Sequence, residues 1–97
     1  MAYRITRYTY EQARKLGVEV KPSTVSGKKI DVFKKGEKVA SVGAIGYNDY
    51  PTFMRLEREG KVAKGTAVAR RKAYKQRHEK DRHKRGSAGF YADKLLW

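Results

Sequence analysis

The residues with the most obvious chemical capacity lie together in RHEKDRH, residues 77–83. Two imidazoles beside two carboxylates could hold a divalent cation or relay a proton. The spacing argues against both. Zinc-binding histidines on a helix stand four apart so that both reach one ion, whereas His78 and His83 stand five apart and would diverge by about 140°. Glu79 and His83 are four apart and are expected to pair on the surface. Asp31, Asp49 and Asp93 are scattered singly, with no second carboxylate at catalytic spacing. No Ser stands with a His and an acid in a triad-like pattern. Gly43-Ala-Ile-Gly46 fits the GxxG loop by which KH domains hold a nucleic-acid backbone. That loop joins two helices, however, and this one leaves a strand, so a tight exit from a hairpin is the simpler reading. No Walker or dinucleotide loop occurs. The chain has no cysteine, which removes disulfides, thiolate catalysis and cysteine metal sites together. The expectation is a protein without enzymatic activity, metal or cofactor.

Charge carries the remaining chemistry. The run from Thr66 to Arg85, TAVARRKAYKQRHEKDRHKR, holds nine bases: Arg70, Arg71, Lys72, Lys75, Arg77, Lys80, Arg82, Lys84 and Arg85. Only Glu79 and Asp81 oppose them, an excess of seven and half of the formal net charge of +14. Arg and Lys in such density meet phosphates, and each neutralised phosphate releases counterions. The expected nucleic-acid contacts are Arg70, Arg71, Lys72, Lys75, Arg77, Arg82, Lys84 and Arg85, with Tyr74 placed to stack on a base or to pack. No helix-turn-helix, zinc-finger or ribonucleoprotein signature is present, so binding is expected to ignore sequence, with DNA placed ahead of RNA. An acidic protein surface is the second candidate partner, and a solvated charged face is the bland alternative. No apolar run approaches the length of a membrane span, and no apolar segment of a secretory signal follows the N-terminus.

The elements that must position these bases can be read from pattern. Residues 66–85 contain no Gly or Pro and many strong helix formers, which predicts one long helix with Thr66 as N-cap and Gly86 beyond its end. Val68 and Tyr74 are the residues expected to touch a core. Upstream, YRITRY (residues 3–8) suggests a short strand. TYEQ (residues 9–12) fits a capping box with Thr9 as N-cap, opening a two-turn helix to Leu16 that turns Tyr10, Ala13 and Leu16 inward. Val18–Val20 alternates as a strand or extended connector, and residues 21–28 form a loop. Residues 29–43 are the clearest signal: Ile30, Val32, Phe33, Val39, Ala40 and Val42 alternate about KKGE, which predicts a β-hairpin. Pro51 opens a helix to Glu59, with Asp49 favouring its N-terminus. Ser87 caps a last helix within residues 87–97.

That last helix is strongly apolar, with Phe90, Tyr91, Leu95, Leu96 and Trp97. It must fold back on the hairpin or dock on a partner, and the sharper reading makes those five residues a protein-docking patch. Ninety-seven residues support one domain. The expected fold is α+β: a β-hairpin or three-stranded antiparallel sheet with short helices (1–65), the basic helix (66–85) and the apolar C-terminal helix (87–97).

GYNDYPTF (residues 46–53), RRKAYKQRHEKDRHKRGSAGFYADKLLW (residues 70–97) and the hairpin KIDVFKKGEKVASVGA resemble a family of small, basic, uncharacterised proteins encoded by large double-stranded DNA viruses, with related tails in phage-like sequences. The resemblance spans residues 29–97 and is most specific in RHEKDRHKRGSAGFYADKLLW. It brings no catalytic or ligand residue. It implies a viral product, in the virion or an infected cell. In that setting the basic run predicts a packaging role on nucleic acid, and the alternative is a minor capsid or assembly component that docks acidic capsid proteins through the basic helix and the aromatic C-terminus.

Overall fold

The computed structural model describes residues 3–97. The hairpin forms where alternation, β-branched side chains and a two-residue turn coincide. Strands β2 (Lys28–Lys34) and β3 (Glu37–Ala44) pair antiparallel. Lys35 and Gly36 between them both hold positive φ, 53° and 82°, the backbone of the tight turn that suits the twist of a hairpin. A register shift after Val32 pairs Phe33 with Lys38 and leaves Val39 as a bulge, 40% exposed.

The third strand is β1 (Glu19–Pro22), antiparallel to β2 in the order β1-β2-β3. The strand expected at residues 3–8 does not form. Thr6, in extended conformation, caps α1 (Arg7–Leu16) by accepting the Thr9 N–H at 3.3 Å. Thr9 is therefore inside the helix, and its buried hydroxyl donates to the Leu95 carbonyl at 2.8 Å. Ala13 of α1 is buried as expected, but Tyr10 is largely exposed. Pro22 falls on the edge strand, where a missing donor is tolerated.

Helix α4 (Ala88–Leu96) returns the chain to the sheet. Ser87 accepts the Phe90 N–H at 3.2 Å, the N-cap read from the sequence. Leu95 and Leu96 are 0% and 1% exposed and join Ile5, Ala13, Val18, Val20, Ile30, Val32, Val42 and Tyr91 in one core. The approach is close at Gly43, whose φ is 82°: a Cβ there would stand 2.7 Å from Leu96 Cδ1. The docking patch expected at the C-terminus is thus corrected. Burying its side chains on the sheet removes more apolar surface from water than any exposed arrangement would.

Helices α2 (Tyr50–Arg58) and α3 (Thr66–Arg77) pack on each other. Asp49 caps α2 by accepting the Thr52 N–H at 3.0 Å, with Pro51 in the first turn. The chain is α+β: a three-stranded antiparallel sheet with four helices about one core. Among the described residues no helix is long and apolar enough to cross a membrane.

Candidate nucleic-acid interface

The basic run splits into two parts. Helix α3 stops at Arg77, and residues 78–86 continue as turns and a bend. Intrinsic propensity favours helix throughout, but beyond Tyr74 no apolar side chain exists to dock a longer one, and an unsupported helix this short is marginal in water. Like charges at Lys80/Lys84, four apart, oppose it further. The chain must also turn back to deliver α4 to the core. The Asp81 and Arg82 N–H groups both donate to the His78 carbonyl at 2.9 Å. Gly89 of α4 makes the return possible, since a Cβ there would lie 3.0 Å from the Asp81 carbonyl oxygen.

The N-terminus of α3 differs from expectation as well. Thr66 is the first helical residue, Gly65 occupies the cap without a side chain, and the missing acceptor comes from α2. Glu57 Oε1 accepts the Ala67 N–H at 2.8 Å, a carboxylate at the positive end of the helix dipole. Val68, expected to touch the core, is 63% exposed, and Ala67 is buried instead.

Three rings fix α3 to the C-terminus. Tyr74 stacks on Trp97 at 4.4 Å with planes 8° apart, and His78 stacks on Tyr74 at 4.3 Å. Trp97 also lies 6.4 Å from the Phe53 ring of α2. The two faces of Tyr74 are thereby taken, so the base-stacking role is corrected: Tyr74 is a packing residue. Its phenol is raised above the usual range by burial and by nearby Asp93.

Asp93 of α4, 1% exposed, holds the basic segment down. Lys75 Nζ donates to its Oδ1 at 2.7 Å. Arg82 Nη1 stands 3.8 Å and Lys94 Nζ 3.9 Å from Oδ2. Arg82 also donates twice to Glu79 Oε2, at 3.1 and 2.8 Å. The expected pair of Glu79 with His83 is present, Oε1 to Nε2 at 2.7 Å, in a chain of turns rather than on a helix. His83 and Arg82 together lower the Glu79 pKa. Arg71 is half-buried, its guanidinium 4.9 Å from the Tyr50 ring centroid. Lys75 and Arg82, expected as phosphate ligands, are turned inward to Asp93 instead, and Arg71, expected likewise, packs on Tyr50.

Arg70, Lys72, Arg77, Lys80, Lys84 and Arg85 are all exposed. None has a carboxylate within ion-pair reach among the described residues. Arg70 lies 5.8 Å from the Phe53 ring with its charge still open to solvent. Lys28, which the sequence did not connect with this region, shares a depression of about 480 Å³ with His78, Lys80 and Lys84. The start of a strand and a turn some fifty residues on carry no common local pattern.

The expected docking residues are distributed differently. Tyr91, Leu95 and Leu96 are core, while Phe90 and Trp97 are half-buried, Phe90 edge-on to Tyr91 at 5.4 Å. Among the described residues no group of three His, Cys, Asp or Glu side chains could hold a metal ion. In comparisons with known proteins, no family model, no curated protein and no solved structure matches this chain.

Proposed function

We propose that the protein is a non-enzymatic, sequence-independent nucleic-acid-binding protein. Six exposed bases on α3 and the turns after it, without carboxylate partners among the described residues, carry this reading. Exposed Arg and Lys side chains without base-edge readers contact phosphates, so phosphate spacing rather than base identity governs the contact. The viral setting, virion-associated or in packaging, is part of the same proposal and derives from the resemblance. Docking to an acidic capsid surface through the aromatic C-terminus loses its anchor, because Leu95 and Leu96 lie in the core.

Titration of labelled duplex DNA at several salt concentrations tests the proposal. With six phosphate contacts, log K should fall against log [salt] with a slope of about −5, and Arg70→Ala/Lys72→Ala/Arg77→Ala should flatten it by about three. Affinity indifferent to salt, or a triple variant with an unchanged slope, would refute it.

A further inference from the structure

On another face of α2 lies a second basic surface that no local pattern in the sequence announces. Phe53 and Glu57 of α2 meet α3, whereas Thr52, Arg55 and Arg58 line a cleft of about 850 Å³. The N-terminal segment forms the opposite wall with Arg4 and Arg7, and the loop after β3 forms the rim with Ile45 and Tyr47. Its volume is in the range of small-ligand sites.

The charge in the cleft is one-sided. Arg4, Arg55 and Arg58 are exposed and have no ion pair among the described residues. Glu11 is the only acid in the lining and is paired with Arg7 at 3.0 Å. Lys29 in the lining is 5% exposed and already held by Asp49 at 3.1 Å. Tyr3 donates to the same carboxylate at 2.6 Å, so the base of the cleft is polar and fixed before any ligand arrives. At the rim, Tyr47 is 75% exposed and Ile45 44%. An aromatic ring left that far in water beside unpaired arginines has the composition of a stacking platform on an anion track.

We infer that this cleft binds single-stranded nucleic acid, with successive phosphates on Arg55 and Arg58 and an unpaired base on Tyr47. Arg55 and Arg58 stand three residues apart on one side of α2, about 4.5 Å along the axis, and their long side chains can spread to meet successive phosphates. A concave cleft with an aromatic rim admits separate bases; a duplex presents none. The inference rests on the nucleic-acid reading for the class of partner, but uses residues separate from the α3 surface.

The test compares a labelled oligothymidylate of about ten nucleotides with a duplex of equal length, using the full chain. Tyr47→Ala should weaken single-strand binding by about 5- to 100-fold, the worth of one stacked base, and Tyr47→Phe should restore it. Arg55→Ala/Arg58→Ala should lower single-strand affinity about tenfold or more while duplex affinity stays within about twofold. Arg70→Ala/Lys72→Ala/Arg77→Ala should give the reverse. The inference is overturned if Tyr47→Ala, at an exposed position that the fold does not need, leaves single-strand binding unchanged. It is overturned equally if the arginine pair affects both polymers alike. Duplex binding that persists through those failures would leave the α3 surface standing. Loss of binding to every polymer would remove both.

Discussion

Asp93 should be costly to lose, although its carboxylate faces no solvent. Its carboxylate joins α4 to Lys75 of α3 at 2.7 Å and to Arg82 of the turns at 3.8 Å. Asp93→Ala would leave two cations, with side chains only 25% and 19% exposed, beside each other. Breaking a fully buried pair costs about 3–5 kcal/mol. Lys75 and Arg82 can each swing partly into water, which reduces the figure here to about 2–3 kcal/mol. In a domain of this size that lowers Tm by about 10–20 °C.

Asp93→Asn keeps the shape and one acceptor for Lys75 and should cost about half as much. Lys75→Met in the Asp93→Asn background should recover part of the loss, because one unpaired charge is removed with its partner. Thermal melts followed by far-ultraviolet circular dichroism measure all three. Added salt should change the differences little, since a shielded pair is poorly screened. A melting temperature for Asp93→Ala within about 2 °C of the parent would refute the reasoning, placing the pair among those that contribute nothing measurable.

Other expectations follow from single features. Burial pushes the Asp31 carboxyl up, but the Ser23 and Ser41 hydroxyls, the Thr24 N–H and Lys38 outweigh it and hold the pKa at about 2. Its folded pKa is depressed, so the stability it gives is present above pH about 4 and lost as pH falls toward 2; an acid titration of Asp31→Asn should lack that step. Gly43→Ala combines a left-handed φ of 82° with a Cβ 2.7 Å from Leu96 Cδ1 and should cost about 2–4 kcal/mol. Gly46→Ala, with φ 97° and open space around it, should cost about 1–2 kcal/mol by the same denaturant assay; equal costs would sink the packing argument. Trp97→Ala removes the ring between α2 and α3 and should cost about 2–3 kcal/mol, seen as earlier hydrogen exchange in residues 66–77 than in the sheet.

What the sequence made legible was local. Alternation about Lys35-Gly36, the Ser87 cap and Pro51 in the first turn of α2 are each decided within a few residues, and they stand where they were expected. The sequence points to Thr9 as the cap of α1, and Thr6 holds that place three residues earlier. The choice depended on Leu95, whose carbonyl takes the Thr9 hydroxyl from 86 positions away. The basic run read as one helix because propensity counts residues and not the surface they can dock on. Asp31, Asp49 and Asp93 looked scattered because most of their partners stand 7–46 residues off, on other elements. The Arg55–Arg58 cleft takes its walls from three segments, so no window of sequence contains it.

Those three aspartates also explain why the surface is more basic than the net charge implies. Asp49 gathers Tyr3, Lys29 and the N-terminus of α2; Asp93 gathers α3, α4 and the turns; Asp31 gathers residues 23–24, β2 and β3. Each is 1–3% exposed. Shielded there, they neutralise junction groups and leave the outer bases to repel one another. Structural and ligand-facing cations should therefore respond oppositely to removal. Replacing Lys72, Arg77 or Lys84 by Gln should change stability by no more than about 0.5 kcal/mol, in the stabilising direction, while weakening nucleic-acid binding. Lys29→Met strands the Asp49 carboxylate, 1% exposed, and should cost about 3–5 kcal/mol. A chemical denaturation series with parallel DNA titrations separates the classes. If the exposed bases prove as necessary to folding as Lys29, their charge is structural and the polyanion they face is this protein's own.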